Sequence, residues 1–217
     1  MRNLFSQDSK LMHGLNKMSD LIVLNLLTII CSIPIFTIGA AVTALYDAVW
    51  RMQQEEGKLY SAFFRAFRSN FKRATGLWLF FLPIGAVLLH NFNTTFTSDT
   101  SLFATIFSLF GVVWWAFAIS WVFPIQSRFE NTFWGTVKNS LLFPMAYFPQ
   151  TLGMAVINML PWVLILSQDT GSIITFYLGG MIWLSIYFAL AAHLNLKLMD
   201  KFFDRFYAEA TMEKTEE

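Results

Sequence analysis

From Leu21 to Trp50 the chain is largely apolar with only one charged residue, Asp47, and Pro34 and Gly39, two poor helix formers, interrupt the run. The run is too long for one ordinary membrane span and short for two. Four later stretches, Thr75–Asn91, Leu102–Phe123, Leu141–Leu166 and Ile173–Leu194, each approach or exceed the roughly 20 apolar residues that a membrane helix needs. They are continuously apolar rather than alternating, which predicts helices and not the strands of a barrel.

The connectors differ in charge. Residues 91–100 (NFNTTFTSDT) and 167–172 (SQDTGS) contain no Lys or Arg. Segment 51–73 carries Arg51, Lys58, Arg65, Arg68, Lys72 and Arg73, segment 124–140 carries Arg128 and Lys138, and the C-terminal tail carries Lys197, Lys201, Arg205 and Lys214. Positive loops stay cytoplasmic, so these three segments are expected inside and the two polar loops outside. The N-terminal lead-in, with Arg2, Lys10 and Lys17, is also expected inside, and an even number of crossings must then separate it from residue 51. Two short helices, Leu15–Ser32 and Thr37–Met52, satisfy this with Pro34–Gly39 as an external turn. Each would be roughly 23–27 Å long. The predicted fold is all-α: a polytopic transmembrane helical bundle of six spans with cytoplasmic N- and C-termini, residues 203–217 forming a polar cytoplasmic tail. A single kinked first span, giving five, is the alternative and leaves the N-terminus outside.

An internal comparison bears on the same choice. Residues 62–71 (AFFRAFRSNF) and 132–141 (TFWGTVKNSL) match in residue type at an offset of 70, and each runs into an apolar span. They suggest an internal repeat, 37–92 and 102–166, within a single membrane domain over 1–217. Two interface segments built by the same rules account for the match equally well.

Composition agrees with a lipid solvent. Of 217 residues, 56% are hydrophobic and 13% charged, about half the charge of a soluble domain, with mean hydropathy +0.52. A net charge of +1 gives no basis for nucleic-acid binding. The single cysteine, Cys31, excludes an internal disulfide. The polar lead-in of about twenty residues and the long run after it do not resemble a cleaved signal peptide.

Polar groups inside apolar spans are the candidates for chemistry. Asn25 and Asn158 lie mid-span, Asp47 stands four residues before Arg51 and can pair with it on a helix, and His193, next to Asn195, lies near the inner end of the last span. Asn25, Asp47, Asn158 and His193 are therefore candidate polar or lining groups, and interhelical hydrogen bonding is the plainer role for each asparagine. Arg65, Arg68, Lys72, Arg73 and Lys138 form a candidate surface for a cytoplasmic partner or for anionic lipid headgroups, with Phe63, Phe67, Phe71 and Trp78 expected to bury at the headgroup boundary. Trp50, Trp78, Trp121, Trp134 and Trp162 fall near predicted span ends, as in an aromatic belt. Pro144, Pro149 and Pro161 cluster in the fourth span. Neither a phosphate-binding loop nor a hydrolase or zinc-protease signature occurs, and the three histidines show no metal-ligand spacing. No enzymatic activity, cofactor or metal is expected.

Several pieces resemble the YesL-like family of bacterial membrane proteins, a domain of unknown function. They are Asn25, Pro34, Thr37 and Gly39; then Thr43, Ala44 and Tyr46; then Phe64, Phe67, Arg68, Asn70 and Phe71; and last Arg128, Phe129, Glu130 and Asn131. The resemblance extends over about residues 10–205, with Ala40 where the family commonly has proline. It implies a multi-pass protein of the bacterial cell (inner) membrane. Members are often encoded beside carbohydrate-uptake and polysaccharide-degradation systems, which implies an accessory role in sugar or solute uptake with permease components as partners. A small stand-alone transporter is the second reading. The resemblance brings no catalytic residues.

Overall fold

A computed structural model describes residues 10–54, 58–98, 101–166, 180 and 185–200. The described elements are helices α1 (Lys10–Ser32), α2 (Ile38–Gln53), α3 (Leu59–Thr97), α4 (Leu102–Arg128), α5 (Phe133–Ala146), α6 (Phe148–Leu166) and α7 (residues 185–200), with a 3₁₀ turn at Ile35–Thr37. No strand occurs among the described residues.

The long apolar run is two helices and not one kinked helix. Pro34 is extended at φ −74° and ψ 111°, and it steers the residue before it out of the helical region, which ends α1 at Ser32. The Thr37 hydroxyl lies 2.6 Å from the carbonyl oxygens of both Cys31 and Pro34, so groups left over at the break find a donor within the turn. Gly39 is not part of the turn. It lies in the first turn of α2, where a Cβ would overlap the Ala74 carbonyl and Trp78 of α3. The Trp78 indole N–H also donates to the Ile35 carbonyl at 2.8 Å.

α2 is the centre of the molecule. Gly39, Ala40, Ala41, Ala44 and Ala48 keep its surface small, so the neighbouring helices approach closely. Leu45, Val49, Leu24 of α1, Phe63 and Leu77 of α3, and Trp121 and Ile125 of α4 fill the core around it. The short turn after Pro34 returns the chain so that α2 packs on α1, with Leu21 and Leu24 in the same core as Leu45 and Val49.

α3, with 39 residues, is about 58 Å long, roughly twice the hydrocarbon thickness of a bilayer. Trp78 is its midpoint. Contacts from α2, α5 and α6 fall on the half of α3 up to Phe81 and on the second half of α4: Gly39 on Ala74, Phe133 on Phe80, Trp50 under Arg128, Thr151 on Trp121, Phe148 on Phe117. Beyond that, α3 and α4 pack on each other. Trp115 fills the space left by Gly85 and donates to the Phe81 carbonyl at 2.9 Å; Leu88 packs on Gly111, and Thr95 bonds Ser108 at 2.8 Å.

Three expectations need correction. Among the described residues only α1 (from Gly14), α3 and α4 are long and apolar enough to cross a membrane, or four spans if the bent α5–α6 pair is counted as one. Six spans do not follow, because α2 has 16 residues and half of Ile173–Leu194 lies outside the described residues. The expected span Leu141–Leu166 is broken by a bend of 105° at Tyr147. Pro149, second in α6, cannot donate a helical hydrogen bond and disfavours helix at the residue before it. Finally, Trp121 and Phe63 are fully buried in protein rather than placed at a headgroup boundary. Trp134 does remain exposed, and the Trp162 side chain lies outside what is described.

Gly39→Ala should therefore force α2 and α3 apart and lower stability by about 1–3 kcal/mol. Gly14→Ala, with nothing within 4 Å of the added methyl, should leave it unchanged or slightly higher. Melting of the two purified variants in one detergent checks both; equal losses would show that the α2–α3 contact is not tight.

Candidate functional site

The buried polar groups are organised by α7. On α1, the fully buried Asn25 accepts a hydrogen bond at 3.1 Å from the backbone N–H of Ala189. One turn further along α7, Gln53 reaches both the ring Nδ1 of His193, at 3.1 Å, and its carbonyl, at 3.2 Å. Just beyond it, Asn195 is the junction of a chain through four helices. Asn195 Nδ2 donates to Tyr46 Oη of α2 at 2.9 Å and to Asn158 Oδ1 of α6 at 3.0 Å. Asn158 Nδ2 donates to Ser120 Oγ of α4 at 3.1 Å, and Ser120 donates to the Ala116 carbonyl at 2.8 Å. Asn195 Oδ1 is buried and has no hydrogen-bond partner.

Of the four predicted lining groups, the structure joins Asn25, Asn158 and His193 to one helix but not to one point. Asp47 stands apart, 3.0 Å from Arg51 one turn later on α2, as the spacing predicted. Each asparagine makes the interhelical bond expected of it. Asn195, noted in the sequence only as a neighbour of His193, is the junction, and Tyr46 and Ser120 complete the chain. An amide in an apolar helix is a readable signal. A serine or tyrosine is not, since a serine can bond its own helix backbone and a tyrosine is as often a core residue.

A second polar chain ties α3, α4 and α5. Gln126 donates to Asn70 Oδ1 at 3.2 Å and accepts from the Thr136 hydroxyl at 3.2 Å. Beside it the Arg128 guanidinium lies 3.7 Å from the centre of the Trp50 ring, a cation–π contact joining α4 to α2. Trp121 donates to the Thr151 hydroxyl at 2.8 Å, which pins α6 to α4.

The basic aromatic segment is the first half of α3. Phe64, Phe67, Arg68, Ser69, Phe71, Lys72 and Arg73 surround an open hollow of about 810 Å³. Arg65, Arg68, Lys72 and Arg73 are all exposed. Phe67 lies between Phe63 and Phe71, with ring centroids at 6.4 and 5.5 Å, so this aromatic ladder runs from the core to the surface. The half-exposed ring is Phe64, one residue from the stripe the spacing suggested. Arg73 reaches the Asn131 carbonyl at 3.5 Å, and Lys138 is exposed on α5. No group of three His, Cys, Asp or Glu able to hold a metal occurs among the described residues.

Residues 21–92 match a family model described as "Protein of unknown function, DUF624", about a third of the chain. The match takes in the second half of α1, all of α2 and α3 to Phe92, and so includes Asn25, Asp47, the Gly39–Trp78 contact and the basic aromatic segment; Asn158, His193 and Lys138 lie beyond it. No curated protein and no solved structure matches the chain.

Asn158→Ala and Asn195→Ala should each lower stability by about 1–2 kcal/mol, since each strands a buried partner. The double variant should lose less than the sum of the two. A double-mutant cycle by unfolding in bicelles reads the coupling, and strict additivity would mean the two amides are not bonded.

Proposed function

We propose that this membrane protein is a non-enzymatic component of the bacterial cell (inner) membrane that accompanies solute uptake, carbohydrate uptake in the first instance, and that its basic aromatic face meets anionic headgroups or a cytoplasmic permease component. The observation behind this is α3 itself. One continuous helix carries Arg65, Arg68, Lys72 and Arg73 in its first half, and from Ala74 to Thr97 it has no Asp, Glu, Lys or Arg. A rigid rod with a cationic end and an apolar end orients itself in a bilayer, its charges at the headgroups of the inner side. Each such cation contributes about 1 kcal/mol near an anionic surface. The link to carbohydrate rests on the YesL-like resemblance, and the match to a family of unknown function over 21–92 is compatible with it.

A small transporter is the second reading, favoured by the buried chain Tyr46–Asn195–Asn158–Ser120 and the unpartnered Asn195 Oδ1. Polar groups in an apolar interior mark solute pathways as well as helix joints.

Replacing Arg65, Arg68 and Lys72 together by Glu should abolish co-purification of permease components while the protein still inserts and melts normally. Retained co-purification would count against the docking face. If deleting the protein leaves sugar uptake unchanged, both carbohydrate readings fail. Stabilisation of the purified protein by a sugar, lost in Asn158→Ala, would favour the transporter instead.

A further inference from the structure

We infer that α1 and α2 form a re-entrant hairpin, entering and leaving the bilayer on the side of the basic residues, with the apex at Ile33, Ile35 and Phe36 held among acyl chains inside the bilayer, short of its outer surface. The inference rests on the membrane orientation of α3 given above and adds the depth of its neighbours.

The apex is tied to α3 at Trp78, through the indole bond to the Ile35 carbonyl and the packing of Gly39 on Ala74 and Trp78. The uncharged part of α3 begins at Ala74, so from Arg73 to Trp78 is five residues, about 8 Å. In the other direction, Trp78 to Asn91, where the polar end NFNTTFT begins, is thirteen residues, about 20 Å. Together they span about 27 Å, close to a hydrocarbon core of about 30 Å. The Trp78 level therefore lies inside the hydrocarbon, nearer its basic side, and so does the apex.

Placing the apex at the outer surface instead would lift residues 79–97 of α3, about 28 Å of helix, into water together with the half of α4 that packs on them. Residues 74–97 and 102–127 contain no Asp, Glu, Lys or Arg, and Val87, Phe103, Phe107 and Phe110 are exposed. An apolar column of that size belongs in lipid.

The chemistry of the apex agrees. Ile33, Ile35 and Phe36 are 74%, 68% and 51% exposed, so the tip presents hydrocarbon. Three of its carbonyls meet donors from within: the Thr37 hydroxyl lies in reach of the Cys31 and Pro34 carbonyls, the Trp78 indole serves the Ile35 carbonyl, and the Thr37 N–H bonds the Pro34 carbonyl at 2.8 Å. Hydrocarbon favours such internal pairing, whereas a loop in water has solvent to supply it.

Single cysteines placed in a Cys31→Ser background of the full-length protein test this in intact cells with a membrane-impermeant maleimide. Asn93→Cys should label from outside, Lys58→Cys only after permeabilisation, and Ile35→Cys from neither side, while all three label after denaturation. Labelling of Ile35→Cys from outside means the hairpin crosses, and labelling only after permeabilisation means the apex sits below the membrane; either overturns the inference. If Lys58→Cys and Asn93→Cys label from the same side, the orientation of α3 has failed first, a distinguishable result.

Discussion

The contact between Gly39 and the backbone of α3 sets the position of everything else. It brings α2 against Ala74 and Trp78 at the middle of a 39-residue helix, closer than any side chain at position 39 would allow. Because α2 is surrounded by α1, α3 and α4, its depth along α3 is also the depth of the core. The result is a molecule in two tiers. One is a packed body around α2 and the first half of α3; the other is a two-helix column of α3 and α4 faced by phenylalanines.

Within the body, polar side chains do what apolar packing cannot. Lipid tails are as apolar as leucine, so burial alone gives helices little reason to prefer each other to lipid, and small residues and hydrogen bonds supply the specificity. Here the small residues are on α2 and the hydrogen bonds converge on α7. Asn25 of α1, Tyr46 and Gln53 of α2, and Asn158 of α6 hold it from three helices. The Asn70–Gln126–Thr136 chain does the same for α3, α4 and α5. The arrangement gives the accessory reading a rigid scaffold. Asn195 Oδ1 is a buried member of the network with no hydrogen-bond partner.

Much of this was legible in particular residues. Pro34 marked the end of α1, the spacing of Asp47 and Arg51 gave their ion pair, and amides at 25 and 158 announced interhelical bonds, because each is a local or single-residue signal. Pro149 was legible only as one of three prolines in an expected span: a proline removes a hydrogen bond, but a bend of 105° depends on Thr151 meeting Trp121 and on Phe148 meeting Phe117. The aromatic stripe Phe63, Phe67, Phe71 had the right period and the wrong environment, since a period names a face without saying whether lipid or protein covers it.

By itself, then, the sequence determined that the chain is helical, that lipid is its solvent and that its charge lies at one end of its long helices, since these follow from composition and from the order of apolar and basic residues. The tertiary structure alone decided where the first hairpin meets α3, which tryptophans are core, and that α7 gathers the buried polar groups. Those depend on which apolar surfaces meet, and hydropathy cannot distinguish a phenylalanine against lipid from one against another helix.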